Sequence, residues 1–203
     1  MKLYYAPGAC SLSPHIALRE AGLPVTLEKV DLVAGKTETG TDYAAVNPKG
    51  YVPALQFDDG AVLTEGAVIA RYIADLAPDT DLAPKPGSFE RVRLEEIMNF
   101  IGSELHKAYT PLFLPDTSED GKAAARTRIA RKLAHIESIL ADGRDYLLGE
   151  RFSVADGYLF TIVNWSESRG VPLDAFPKLR AFMARIGARA SVQEAMRAEG
   201  LLQ

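Results

Sequence analysis

The stretch Ala6-Pro-Gly-Ala-Cys10-Ser-Leu-Ser-Pro14-His15 joins a short strand-like run, residues 2–5, to an amphipathic run over residues 12–21. Gly8 suits the tight turn that such a junction needs. A strand, a tight turn and a helix in this order point backbone N–H groups and the positive end of the helix dipole into the turn. The side chain placed there is that of Cys10.

Two interpretations of Cys10 follow from this placement. The dipole at a helix N-terminus favours the thiolate, which makes Cys10 a candidate reactive group. A lone cysteine is, however, more commonly a small buried hydrophobic side chain. The stretch by itself leaves both interpretations open.

Composition narrows the function classes. The chain has 203 residues, 47% hydrophobic and 25% charged, and its formal net charge is −4. This mild acidity gives no electrostatic reason to bind nucleic acid or an anionic membrane. No apolar run approaches the ~20 residues of a membrane span, and the N-terminus lacks the pattern of a signal peptide. We therefore expect neither nucleic acid nor a membrane as a partner.

Cysteine and histidine usage bears on location and on metals. A single cysteine excludes an internal disulfide framework and favours a reducing compartment, so we expect a cytoplasmic protein. His15, His106 and His135 are widely spread. Neither they nor Cys10 form a metal-ligand motif, and we expect no metal site.

Residues 1–77 are predicted to form a small α/β domain. The order of signals is β-α-β, a polar loop over residues 33–46 with a short helix at best, and then β-β-α. The last two strands flank an Asp-Gly turn, which is typical of a hairpin. This order predicts a mixed sheet flanked by helices. Beyond the first strand and helix, the predicted strands are residues 25–32, 52–57 and 61–64, and the predicted helix is residues 67–76.

Residues 78–87 contain three prolines and a glycine among polar residues and are predicted to be a linker. Everything after it is helical in pattern, so we predict an all-helical domain over residues 88–203. Its predicted helices are residues 88–109, 119–142, 153–169, 177–189 and 191–198.

Two features stand out in the helical domain. In its first helix a polar stripe of Asn99, Ser103, His106 and Thr110 lies opposite an apolar stripe. Such a stripe is usually a solvated face, and it is functional only if it faces a site. Further along, Ser153 with Asp156 three residues on predicts a capping box at a helix start.

These residues together resemble the cytosolic glutathione S-transferases, and among them the bacterial beta class most closely. The resemblance covers essentially the whole chain. It rests on five segments in this order and spacing, namely residues 5–15, 47–53, 63–69, 103–107 and the capping segment 149–156.

The resemblance implies a fold and an assembly. It implies a thioredoxin-like N-terminal domain, an all-helical C-terminal domain and a homodimer. It also implies a glutathione site on the first domain and a variable pocket for a hydrophobic electrophile against the second.

The resemblance further implies roles for residues of the first domain. Pro53 is implied to be cis, with the backbone of Val52 binding the cysteinyl part of glutathione. Glu65 and the N–H groups of the helix that begins near Gly66 are implied to bind the ammonium and carboxylate of the γ-glutamyl end. Gly66 departs from the usual serine or alanine, which keeps the backbone donor and loses any hydroxyl contact.

Two further contacts are implied. The basic contact to the glycyl carboxylate falls at a glycine, and we assign it to the adjacent Lys36. The polar stripe of the first long helix enters the site as well. The stripe residues so implied are Asn99, Ser103, Glu104 and His106.

The expected reaction is attack of the glutathione thiolate on an electrophilic carbon or sulfur, with Cys10 and His106 as the catalytic residues beside that sulfur. Ser11 and Tyr5 are lesser candidates. A second hypothesis is thiol-disulfide exchange through Cys10, because Ser13 stands where dithiol oxidoreductases have their second cysteine. A third is a non-catalytic carrier of apolar ligands.

Overall fold

The computed structural model describes residues 1–202, and they divide into two compact units. The first contains residues 1–83 and the chain from Ala188 onward, and the second contains Pro84–Gly187. The boundary at Ala83 and Pro84 lies within residues 78–87, where the composition predicts a linker. None of the helices described in this chain is both long and apolar enough to cross a membrane.

The first unit is built on a five-stranded mixed sheet of order β3-β2-β1-β4-β5. The central strand β1 runs parallel to β2 and antiparallel to β4, and its Leu3 lies opposite Leu27 and Leu55. The predicted order of strands and helices, and with it the thioredoxin-like class, is confirmed. The strands are β1 Lys2–Tyr5, β2 Thr26–Asp31, β3 Lys36–Thr37, β4 Ala54–Gln56 and β5 Val62–Thr64.

The expectation that residues 33–46 form a loop was wrong in one respect. Lys36 and Thr37 form strand β3, which pairs antiparallel with the end of β2. A short 3₁₀ helix, Tyr43–Ala45, follows it. The edge strand is held by the buried carboxylate of Glu28, which accepts a hydrogen bond from the hydroxyl of Thr39 at 2.5 Å.

Helices α1, Leu12–Glu20, and α2, Gly66–Leu76, pack against each other in this unit. Their contact is apolar, since Leu12 and Ile16 of α1 are fully buried, as are Ile69 and Ile73 of α2. At ~25 cal/mol per Å², each such side chain contributes about 1.5–3 kcal/mol of burial free energy. This packing fixes the starts of both helices, where the candidate residues lie.

The last helix corrects the predicted extent of the helical domain, residues 88–203. Helix α8, Ala190–Ala198, packs against α1 in the first unit. The buried carboxylate of Glu199 accepts the Gly8 N–H at 2.9 Å and lies 2.9 Å from Nδ1 of His15. Because a buried carboxylate needs such partners, the C-terminal residues belong with the N-terminal unit.

The second unit is all-helical, as predicted. The long prediction over residues 88–109 resolves into α3, a π-helical segment and α4, and residues 140–142 and 167–169 are 3₁₀ turns. The helices are α3 Phe89–Asn99, the π-helical segment Phe100–His106, α4 Lys107–Phe113, α5 Glu119–Ile139, α6 Val154–Val163 and α7 Pro177–Gly187.

Helix α6 forms the centre of the second unit, and all ten of its residues are buried. The capping box predicted at Ser153 and Asp156 is confirmed. The Asp156 carboxylate accepts the N–H of Ser153 at 2.7 Å and the N–H of Leu147 at 2.8 Å. A carboxylate also caps the start of α7. Glu137 on α5 accepts the first N–H groups of that helix, at 2.9 and 2.8 Å.

Candidate functional site

Cys10 lies in the turn between β1 and α1, as the sequence predicts. Gly8 in this turn has φ 69°, which a residue with a Cβ rarely adopts. The thiol is partly exposed, and its Sγ donates to the Val52 carbonyl at 3.2 Å. Cys10 is therefore not a fully buried hydrophobic side chain, and none of residues 6–10 of the turn is fully buried.

The two lesser candidates of this turn are both buried. The Ser11 side chain is fully buried, and its Oγ both accepts the Ala6 N–H and donates to the Ala6 carbonyl at 3.2 Å. Tyr5 is buried beside the imidazole of His15. Ser11 therefore ties the turn to Ala6, whereas Cys10 in the same turn is partly exposed.

The Val52–Pro53 peptide bond is cis, as the resemblance implies. The carbonyl of Tyr51 in front of it accepts the Tyr43 hydroxyl at 2.8 Å and the Asn47 amide at 2.7 Å. Burial raises the pKa of Tyr43 to about 12, so this hydroxyl stays a neutral donor. Two buried donors thus fix the backbone that precedes Val52, and sequence reasoning missed both.

The start of α2 adjoins this segment. A Cβ placed on Gly66 would lie 3.4 Å from Cγ of Pro53 and 4.0 Å from the carbonyl oxygen of Cys10. Cys10, Val52, Pro53 and Gly66 therefore lie together in the first unit. The N–H groups of the first turn of α2 give this place a partial positive charge.

Glu65 precedes α2 with φ 70° and ψ 105°, a conformation that a residue other than glycine seldom adopts. Its carboxylate accepts Nζ of Lys49 at 2.7 Å, and the same Nζ lies 3.1 Å from the Thr64 hydroxyl. Both charged side chains are largely exposed. Sequence reasoning found Glu65 and missed Lys49, although Lys49 lies in the Asn-Pro-Lys-Gly turn that the resemblance uses.

Lys36 is exposed in β3, where it pairs with Asp31 of β2. No hydrogen bond or ion pair joins Lys36 to Cys10, Glu65 or Gly66 among the residues that the structure describes. Its assignment to the glycyl carboxylate stays a prediction.

The polar stripe of the second unit lies around the π-helical segment Phe100–His106. Ser103 is exposed, and its Oγ donates to the Asn99 carbonyl at 2.9 Å. Glu104 forms an ion pair with Lys132 of α5. π-Helical turns are rare and occur frequently at functional sites.

His106 ends the π-helical segment and differs from the rest of the stripe. It is half-buried, with Nδ1 3.0 Å from the Tyr158 hydroxyl and its ring edge-on to Trp165 at 5.2 Å. Burial, with a smaller effect of the Lys107 charge, lowers the pKa of His106 to about 4. The imidazole is therefore neutral at neutral pH, with one nitrogen a donor and the other an acceptor.

Trp165 extends this surface, since its indole packs edge-on against Phe113 at 5.0 Å. The guanidinium of Arg169 lies 4.2 Å from the centroid of Phe113. Together these side chains form a partly exposed aromatic surface beside His106, which suits flat apolar molecules. As for metals, residues 1–202 contain no group of three or more His, Cys, Asp or Glu side chains placed to hold an ion.

The chain matches two family models, the N-terminal domain of glutathione S-transferase over residues 8–76 and its C-terminal domain over residues 100–190. Similar proteins include glutathione S-transferase GstA of Escherichia coli O157:H7, 47% identical over 99% of this chain and 100% of that protein.

Two solved structures are also similar. A beta class glutathione S-transferase of Sphingomonas chungbukensis has a TM-score of 0.96 and 48% identity over the whole of both chains. A sphingomonad glutathione S-transferase in complex with glutathione has a TM-score of 0.96 and 49% identity, again over the whole of both chains. With both family models matched in order and near-complete coverage of such relatives, this chain belongs to the glutathione S-transferases, in the bacterial beta class.

Proposed function

We propose that this protein is a glutathione transferase, in which the thiolate of bound glutathione attacks an electrophilic carbon or sulfur of a hydrophobic small molecule. The observation that carries the proposal is the grouping of Cys10, the cis Val52–Pro53 bond and the first turn of α2 in one place. Relatives about half identical over their full length bear the same activity in their names.

The chemistry of this place fits the two ends of a γ-glutamyl peptide. The backbone of Val52 is assigned to the cysteinyl part, beside Pro53. The N–H groups at the start of α2, at Gly66, are assigned to the γ-glutamyl carboxylate and the carboxylate of Glu65 to the ammonium. Glu65 already binds one ammonium group, that of Lys49, which supports its assigned role. Lys36 is assigned to the glycyl carboxylate.

Stabilisation of the thiolate is the catalytic requirement, because a free thiol has a pKa of ~8.5. Cys10 and the N–H groups at the start of α1 are assigned as donors to the sulfur. His106 is assigned as a further donor, and its neutral state at pH 7 is compatible with donating one N–H. The resemblance also assigns Asn99, Ser103 and Glu104 to glutathione binding. The carboxylate of Glu104 already binds one cation in this structure, the ammonium of Lys132.

A direct test is retention on immobilised glutathione, elution by free glutathione, and turnover of a generic aryl halide. We expect retention and turnover. Flow-through of a correctly folded sample contradicts glutathione binding. Retention without turnover of any electrophile favours a carrier instead.

A second candidate activity is thiol-disulfide exchange, which the partly exposed thiol of Cys10 favours. The Cys10 thiolate would attack oxidised glutathione, form the mixed disulfide and release one glutathione thiolate. We expect one glutathione to add to the wild type, to leave on reduction, and never to add to Cys10→Ala. We also expect Cys10→Ala to lose conjugation to a smaller extent, because glutathione supplies the nucleophile there. A thiol that reacts only after denaturation contradicts this activity.

The assembly we propose is a homodimer in the cytoplasm. Helix α2 exposes Val68, Tyr72 and Leu76 at successive turns, and α3 exposes Phe89 and Val92. Apolar helix faces of this kind mark association surfaces. A mass near that of one chain, 22.0 kDa, across micromolar concentrations in sedimentation would contradict the dimer.

A further inference from the structure

The hydrogen bond between His106 and Tyr158 connects two residues that are 52 positions apart. Tyr158 lies in the buried helix α6 and is 4% exposed. Its hydroxyl lies 3.0 Å from Nδ1 of His106, and the two rings meet edge to face at 6.1 Å. The hydroxyl is therefore held at Nδ1 of the imidazole and not at the second ring nitrogen, Nε2.

Gly102 gives this hydroxyl its room. A Cβ on Gly102 would lie 3.3 Å from the Tyr158 oxygen and 3.8 Å from Cε1 of the same ring. The first distance is tighter than nine in ten real Cβ contacts, so a side chain at this position would push the phenol oxygen by a few tenths of an ångström. Glycine is unfavourable in helices by about 1 kcal/mol relative to alanine, and here the close approach accounts for it.

The direction of the hydrogen bond follows from the chemistry of the two groups. The imidazole is neutral, because burial and the Lys107 charge both oppose its protonation. A phenol O–H is a better donor than a neutral imidazole N–H, and an imidazole nitrogen is a better acceptor than a phenol oxygen. The favoured arrangement has Tyr158 donating to Nδ1, which leaves the proton of the ring on Nε2.

We propose that Tyr158 is a positioning residue that fixes His106 in the tautomer with a proton on Nε2, so that His106 presents an N–H donor to the glutathione thiolate. The proposal rests on the proposed transferase function for the role of that donor. A partner on one ring nitrogen sets what the other can do, because a neutral imidazole carries a single proton. Without Tyr158, the ring is free to place its proton on Nδ1 and to meet the thiolate with a lone pair.

Among the described neighbours of His106, Tyr158 is the one with a hydrogen bond to its ring nitrogen Nδ1. On its own helix the neighbouring charge is Lys107. From α6 it faces Tyr158, and the ring that packs on it from the segment after α6 is the indole of Trp165. From α5, Lys132 binds Glu104 and His135 packs against Phe100, so both are engaged elsewhere on the π-helical segment.

The first test reads the tautomer directly. Nitrogen NMR of ¹⁵N-labelled imidazoles in the full-length protein separates the two neutral forms, and a His106 variant assigns the signal among three histidines. We expect the form protonated at Nε2 in the wild type and a mixture of both forms in Tyr158→Phe. A wild type protonated at Nδ1, or a Tyr158→Phe protein with an unchanged tautomer, overturns the proposal. This measurement needs no turnover, so it is decided even if the transferase function fails.

The second test reads the consequence for the thiolate. In Tyr158→Phe we measure kcat/KM for the electrophile at saturating glutathione. We expect its acid limb to move up by about one pH unit, which corresponds to a tenfold lower rate at a pH below the limb. Tyr109→Phe is the matched control, because it removes an equally buried phenol hydroxyl, bound to Ser166 Oγ at 2.6 Å, that does not touch His106. An equal shift in both variants would mean that loss of packing or stability, and not the tautomer, moves the profile.

A third variant keeps the phenol and changes its position. Gly102→Ala places a Cβ against the Tyr158 oxygen and is expected to move the acid limb in the same direction as Tyr158→Phe. A Gly102→Ala protein with the wild-type pH profile and wild-type imidazole spectrum contradicts the assigned contact.

Discussion

Replacement of Ser153 by alanine tests whether the capping box at α6 stabilises the second unit. Ser153 is 3% exposed, and its Oγ donates to the Asp156 carboxylate at 2.8 Å. The same carboxylate accepts the N–H groups of Ser153 and Leu147. The cap thus joins the first turn of α6 to the segment in front of it, in a place that water does not reach.

The magnitude follows from what the variant removes and what it leaves. Loss of an N-cap side chain costs about 0.5–2 kcal/mol of the free energy of unfolding. The cost of Ser153→Ala should lie within that range and not above it, because both backbone donors to Asp156 remain in place. For a protein of this size, 1 kcal/mol lowers Tm by about 2–4 °C.

Asp156→Ala should cost more than Ser153→Ala. It leaves two buried N–H groups and a buried hydroxyl without their acceptor. Each unsatisfied group costs about 1–3 kcal/mol, so the total is expected to exceed the cost of the serine variant.

The assay is denaturant unfolding of wild type and variants, followed by far-UV circular dichroism. Ser118→Ala is the control, because Ser118 caps α5 by accepting the Gly121 N–H at 3.1 Å on an exposed surface, where water can replace it. We expect the unfolding midpoint to fall more for Ser153→Ala than for Ser118→Ala. A Ser153→Ala midpoint equal to that of the wild type would refute the reasoning.

Three other predictions concern the assigned site and the buried carboxyl. Glu65→Ala should weaken glutathione binding by about 1.5–3 kcal/mol in calorimetry, because it removes a charged hydrogen bond to the ammonium; unchanged affinity would remove Glu65 from the site. His106→Ala should lower kcat more than it raises the Kd of glutathione, and a variant with wild-type kcat would remove His106 from the catalytic residues. Burial raises the pKa of Asp156 from 3.8 to about 6, so its contribution to stability is full below about pH 4 and is lost as the pH rises through 6. The difference in unfolding free energy between wild type and Asp156→Asn should therefore fall between pH 4 and 7, by up to about 3 kcal/mol, and a constant difference would contradict the raised pKa.

Elements with local signals could be predicted from the sequence. The strand, turn and helix around Cys10 carry the glycine and the change of hydrophobic period that mark such a junction. The same holds for the hairpin of β4 and β5 with its Asp-Gly turn, and for the capping box at Ser153. In each case the residues that specify the element lie within a few positions of one another.

Elements that depend on distant partners could not be predicted in this way. Strand β3 has two residues and no period of its own, and it exists because the end of β2 pairs with it. From the sequence, helix α8 is predicted as one more helix of the second unit. The structure places it in the first unit, where Glu199 bonds to His15 and Gly8. The hydrogen bond between Tyr158 and His106 could not be predicted either, because the two residues are 52 positions apart.

The π-helical segment explains why the predicted polar stripe divides. An α-helical period of 3.6 residues places Asn99, Ser103 and His106 on one face. In a π-helix the i→i+5 hydrogen bonds widen the turn, so each residue advances less around the axis and residues three apart no longer share a face. Ser103 accordingly stays exposed and bonded to Asn99, whereas His106 turns toward α6 and becomes half-buried. The residue at which the α-helical pattern stops describing the stripe is thus also the residue whose imidazole bonds to Tyr158.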